Sequence, residues 1–184
     1  MDIFRIALTL TLIAIASPQE PRRIGMAGAL QSSYAGLKRN ITEAADKMPA
    51  EDYNSKPGAM PEMRTFAQVI EHIAQGHEAP CGAVRGLPAG AGHLEGSPHP
   101  STKAELTATL AASFALCDQA FSATTDENAL EFVKQGPFEV TRATILYGLL
   151  AHDAEMYGIA TVYLRAKGLV PPSTERQGRG RGRP

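Results

Sequence analysis

LLAHDAEMYGIATVYLRAKG, residues 149–168, is the stretch on which the fold reading turns. Together with Leu146, its residues Leu149, Leu150, Met156, Ile159, Ala160, Tyr163 and Leu164 recur at helical spacing and mark one buried stripe. His152 falls within that stripe. An imidazole that loses its hydration on burial must regain it from a hydrogen-bond partner or a metal, because leaving it unsatisfied costs roughly 1–3 kcal/mol. Glu155 and Met156, three and four positions on, lie on or beside the same face. Thr141 is the expected N-cap of this helix, and Gly168 followed by Pro171 and Pro172 is its expected stop.

Three further amphipathic segments precede it. The first presents Leu30, Tyr34, Leu37, Ile41, Ala45 and Met48 and is stopped by Pro49. The second opens on a Thr65/Gln68 capping box and continues with Phe66, Val69, Ile70 and Ile73, while Pro80 is placed to kink or end it. The third opens on Thr102/Glu105 and presents Leu106, Leu110, Phe114, Cys117 and Phe121. No run in the linkers 49–64, 86–101 and 125–140 alternates well enough to argue a sheet. The reading is an all-α, four-helix bundle with long loops. About 15 extended residues reach roughly 50 Å, more than the roughly 30 Å of a 20-residue helix, so a connection that crosses the length of the bundle is open to every linker.

The chain of 184 residues is 43% hydrophobic and lacks tryptophan, enough for one domain with a core. Arg5, the apolar run from Ile6 to Ala16 and the small-x-small ending Ala14-Ile15-Ala16 read as a signal peptide over residues 1–16, too short to span a membrane. A secreted or periplasmic protein is therefore expected, with no stable membrane insertion after cleavage. The tail ERQGRGRGRP lacks apolar surface to bury, so residues 174–184 are expected to be disordered. The tail is basic but the body is net acidic and the whole carries −1, which argues against a nucleic-acid footprint. Cys81 and Cys117 both lie in helical patterns. An oxidising compartment would permit a disulfide, but buried free thiols are the expectation, because bridging two helices demands a narrow geometry.

Residues 152–158, His-Asp-Ala-Glu-Met-Tyr-Gly, resemble the last helix of the DinB-like family of four-helix bundles, whose usual pattern is close to His-Asp-x-x-His-Tyr-Gly. Similar pieces are MPAEDYNSKP before the second helix, RTFAQVIEHIA within it, KAELTATLAASFALCD in the third and YLRAKGLVPPS at the end, so the likeness covers about residues 26–173. The resemblance implies a crossover bundle and a divalent metal, zinc or nickel, held by one histidine of the second helix and two of the fourth. Here those positions are His72, His152 and Met156. A thioether is a poor ligand for zinc or nickel and a fair one for copper(I), so the set is one nitrogen short. Glu155 is a candidate substitute.

The functional expectation is an exported DinB-like protein whose histidine cleft binds a small ligand or, weakly, a divalent metal. Two alternatives stand beside it. One is a metal-dependent transferase using a low-molecular-weight thiol, as the family implies; the other is a non-catalytic interaction module, such as a homodimer through a bundle face. His77 and Cys81, four apart, would place an imidazole beside a thiol, although ordinary core packing is the simpler reading. Tyr157 and Tyr163 are expected in the core with satisfied hydroxyls, and His93 and His99 as solvated loop residues. No phosphate-binding glycine loop, recognisable Ser-His-Asp set or CxxC pair gives an independent case for an enzyme.

Overall fold

The computed structural model describes residues 21–88 and 101–181. The proposed signal peptide, His93 and His99 lie outside them. Four long helices are present: α1 (Met26–Lys47), α2 (Phe66–Val84), α3 (Lys103–Ser122) and α4 (Arg142–Ala166). A short antiparallel hairpin, β1 (Phe132–Gln135) and β2 (Phe138–Thr141), precedes α4, and a fifth helix, α5 (Pro172–Arg181), follows it.

Local chemistry sets the helix ends. Both capping boxes form: Thr65 accepts from the Gln68 amide and Thr102 from the Glu105 amide, each answered by the reciprocal side-chain bond. Thr141 caps α4 by accepting from the Thr144 amide. At its other end Gly168, at φ +72°, takes the left-handed conformation that lets the Leu169 amide reach the Leu164 carbonyl at 2.9 Å and its own amide reach Arg165 at 2.9 Å. Pro80 sits inside α2 without ending it.

The packing order differs from the chain order. α1 packs on α3 and α4, and α2 packs on α3 and α4, so consecutive helices α1/α2 and α3/α4 face each other across the bundle. His77 pairs with Ser113 and Cys81 with Cys117, contacts that advance together by one turn, so α2 and α3 run parallel. α2 therefore ends at the opposite end of the bundle from where α3 begins, which is the crossover arrangement. Of the residues expected inside, Ile41, Phe66, Ile70, Ile73, Leu110, Phe114, Leu146 and Leu164 are essentially inaccessible, whereas Leu37 and Ile159 are only partly covered. Among the described residues no helix is long and apolar enough to cross a membrane.

Three local expectations are corrected. Cys81 and Cys117 are not free thiols. Their Cα atoms stand 5.1 Å apart and their sulfurs are bonded, because parallel packing of α2 on α3 brings the two buried faces into register. The linker after α3 contains strand: Val133 and Val140 pair across the hairpin and both pack on the core, while Gly136, at φ +59°, supplies the turn with Pro137. Strands of four residues are too short to show their alternation in sequence. The tail is helical through Arg181 rather than disordered. Pro172 opens α5 with the backbone angle that suits a first helical position, and Pro171 and Pro172 are buried. The Tyr157 hydroxyl bonds Ser173, and Glu175 and Arg176 form ion pairs with Lys47 and Glu43 of α1. Docking onto α1 and α4 supplies what the tail's composition lacks.

Candidate functional site

His72 on α2 and His152 on α4 meet between the two helices. Their Nε2 atoms are 3.3 Å apart and the rings are set edge to face with centroids 5.1 Å apart. The side chain of His152 is 29% exposed, so the pair is reachable from solvent. The pKa of His72 lies below the ordinary histidine value. Burial is the main cause, the Arg64 and His152 charges add to it, and Glu155 opposes it. A neutral imidazole is what metal coordination and hydrogen-bond acceptance both require.

Close approach of the helices at this point depends on Gly76. A Cβ there would stand 2.8 Å from Cε1 of His152, so the ring lies directly against the α2 backbone. One turn on, Pro80 has no amide to give the Gly76 carbonyl. Gly76, Pro80 and His152, with Val140 and Gln135 of the hairpin and Ile145 and Leu149 of α4, line a cavity of about 310 Å³. Its walls are mainly apolar, with His152, Thr144 and Gln135 as the polar groups.

Behind the pair lies a second, fully buried set. The Asp153 and His77 side chains are both 0% exposed, and both carboxylate oxygens lie 3.2 Å from Nε2 of His77. Nδ1 of His77 is 2.9 Å from the Ser113 hydroxyl on α3. Oδ1 of Asp153 also lies 3.3 Å from Nδ1 of His152, so one carboxylate joins the buried pair to the cleft.

Of the residues singled out in the sequence, His72 and His152 are brought together. Met156 is buried one turn beyond His152, whereas Glu155 is solvent-exposed. Among the described residues no group of three or more His, Cys, Asp or Glu side chains is arranged to hold a metal ion. His77 is not beside a reactive thiol, since Cys81 is spent in the disulfide. The hydroxyls of Tyr157 and Tyr163 bond Ser173 and the Arg64 carbonyl, in keeping with satisfied core tyrosines. Asp153, His77 and Ser113 were missed as a set. The signal was present for Asp153, which falls between Leu149 or Leu150 and Met156 or Tyr157 on the apolar stripe, where a carboxylate demands a partner.

A family model for the DinB superfamily matches residues 35–160, which is most of the chain and contains both histidine sets. The chain belongs to the DinB superfamily. Solved structures agree on the fold of this DinB protein. A DinB-like protein from Bacillus cereus superposes with a TM-score of 0.63 at 19% identity, over 78% of this chain and 93% of the other. A conserved protein from Enterococcus faecalis gives 0.57 at 16% identity, over 78% and 98%. No functionally curated protein matches the sequence. Membership accounts for the crossover bundle; a reaction does not follow from it.

Proposed function

We propose that the cleft between α2 and α4 is a small-ligand site built on His72 and His152, and that these two imidazoles can hold a divalent ion, zinc or nickel, weakly. The supporting observation is the 3.3 Å between the two Nε2 atoms. With metal–nitrogen bonds of about 2.0–2.1 Å, two corners of a coordination tetrahedron are about 3.3–3.4 Å apart, so the spacing of the pair matches two adjacent positions of one ion once the rings turn their lone pairs toward it. Met156 stands where a third nitrogen would complete the set, and a two-nitrogen site is labile. A bound ion would supply Lewis acidity at the open positions. The residues themselves orient: His152 lines the cavity and meets His72 at its other side, while the apolar walls of Pro80, Val140, Ile145 and Leu149 would exclude water from a small ligand's body.

Calorimetric titration of chelator-stripped protein with zinc tests this. Wild type should bind weakly and lose the ion to a mild chelator. Met156→His should raise affinity at least about tenfold, or about 1.4 kcal/mol, by adding a nitrogen one turn from His152. His72→Ala in that background should abolish the gain. An unchanged affinity, or a gain that survives loss of His72, means that the three positions do not converge.

We also propose export. The leader-like run ending at Ala16 and the Cys81–Cys117 disulfide support it, since disulfides persist in oxidising compartments. Produced in a Gram-negative host, the protein should appear outside the cytoplasm with Ser17 or a near neighbour at its N-terminus. A cytoplasmic product that keeps Met1 would exclude it.

A further inference from the structure

We propose that Asp153 is a positioning residue that fixes the orientation and tautomer of His152, so that the Nε2 lone pair of His152 faces His72 and the cleft. The purpose of this device rests on the ligand-site reading above; its geometry does not.

A carboxylate accepts hydrogen bonds and has none to give. Asp153 is wholly buried and has an imidazole nitrogen on each side, Nε2 of His77 at 3.2 Å and Nδ1 of His152 at 3.3 Å. Deprived of water, it is stabilised only if both nitrogens present N–H to it. The neutral ring of His152 has one proton, which the carboxylate claims at Nδ1, leaving Nε2 bare. In the contact between Nε2 atoms at 3.3 Å, His72 must then be the donor. The two cleft histidines thus hold opposite tautomers in the metal-free protein, and His152 is the one poised to coordinate. Carboxylate support of this kind tunes coordinating histidines, with losses of about 10–100-fold in metal affinity when it is removed.

Two further contacts hold the arrangement in place. Asp153 cannot follow His152 outward, because His77 grips both its oxygens and is itself tied at 2.9 Å to Ser113 of α3. Nor has the ring room to settle lower, since the backbone of Gly76 already lies beneath Cε1. A side chain at position 76 would meet Cε1 at 2.8 Å, Nδ1 at 3.3 Å and Nε2 at 3.4 Å and push the ring off both hydrogen bonds.

Nitrogen-15 correlation spectra of the histidine rings distinguish tautomers directly. They would be recorded on chelator-stripped full-length protein at about pH 8, above the ordinary histidine range. In wild type, His152 should be protonated at Nδ1 and His72 at Nε2. Asp153→Ala removes both acceptor oxygens, so nothing claims the Nδ1 proton of His152; His152 should lose its single tautomer and zinc affinity should fall about tenfold or more. Should that variant fail to fold, Gly76→Ala leaves the carboxylate in place. It should shift the His152 resonances and weaken zinc binding while those of His77 stay as in wild type. The proposal is overturned if His152 is the Nε2–H tautomer in wild type, or if either folded variant leaves its ring spectrum unchanged. Should wild type show the expected tautomers but take up no zinc, the positioning role stands and the metal reading of the cleft fails.

Discussion

His72 and His77 lie on the same helix, and each meets a residue of α4, yet their surroundings are opposite. His77 is fully buried, with Ser113 at one nitrogen and the Asp153 carboxylate at the other, so both ring nitrogens have polar partners inside the core. His72 meets another imidazole, half of a pair that solvent reaches, and its depressed pKa shows little stabilisation of a positive charge. The contrast teaches that burial with complementary partners makes a histidine part of the scaffold, whereas a like partner and an open side leave one available to a ligand.

The largest effect should come from breaking the buried half. His77→Ala leaves Asp153 in the core with one donor fewer, and removing one partner of such a pair costs about 3–5 kcal/mol. His72→Ala, at the solvent-reachable pair, should cost under about 1 kcal/mol. Urea unfolding of the two variants measures both, and equal losses would erase the distinction.

A somewhat smaller effect is expected from the disulfide. Cys81 lies one turn beyond His77 on α2 and Cys117 one turn beyond Ser113 on α3, so the bridge holds the helices together next to the buried pair. Closing a loop of 36 residues stabilises by about 2–4 kcal/mol. Cys81→Ala with Cys117→Ala should lower stability by that amount and disturb the ring signals of His77 more than those of His72. A double variant as stable as wild type would show that packing alone aligns α2 with α3.

The smallest effect is a pH dependence on the exposed side. Because folding lowers the His72 pKa, the unfolded chain binds this proton more readily than the native one. His72 therefore takes nothing from stability above the unfolded value near 6.5, and stability falls as pH drops through 6.5 toward the lower folded pKa. His72→Gln should flatten the unfolding profile below about pH 6.5 relative to wild type. A profile of unchanged slope would assign the loss to other groups.

Much of the scaffold could be read from local pattern. Thr65/Gln68, Thr102/Glu105, Thr141 and Gly168 marked ends that the helices keep, because caps and left-handed glycines act within a few residues of chain. The hairpin was not legible, since four-residue strands are defined by their partner across the ladder. The tail was misread because composition describes only what α5 contains, not Lys47, Glu43 and Tyr157 waiting on other helices.

By itself the sequence determined four amphipathic helices, their caps, the resemblance to the DinB family and the candidate pair His72 and His152, all properties carried by spacing along one chain. Tertiary structure alone decided which helices are neighbours. Parallel packing of α2 on α3 brought Cys81 to Cys117 and His77 to Ser113, and the approach of α4 over Gly76 brought Asp153 to His77 and His152 to His72. Hydrogen bonds and disulfides need atoms within a few ångströms, and for residues from 36 to 80 positions apart only the folded arrangement sets that distance.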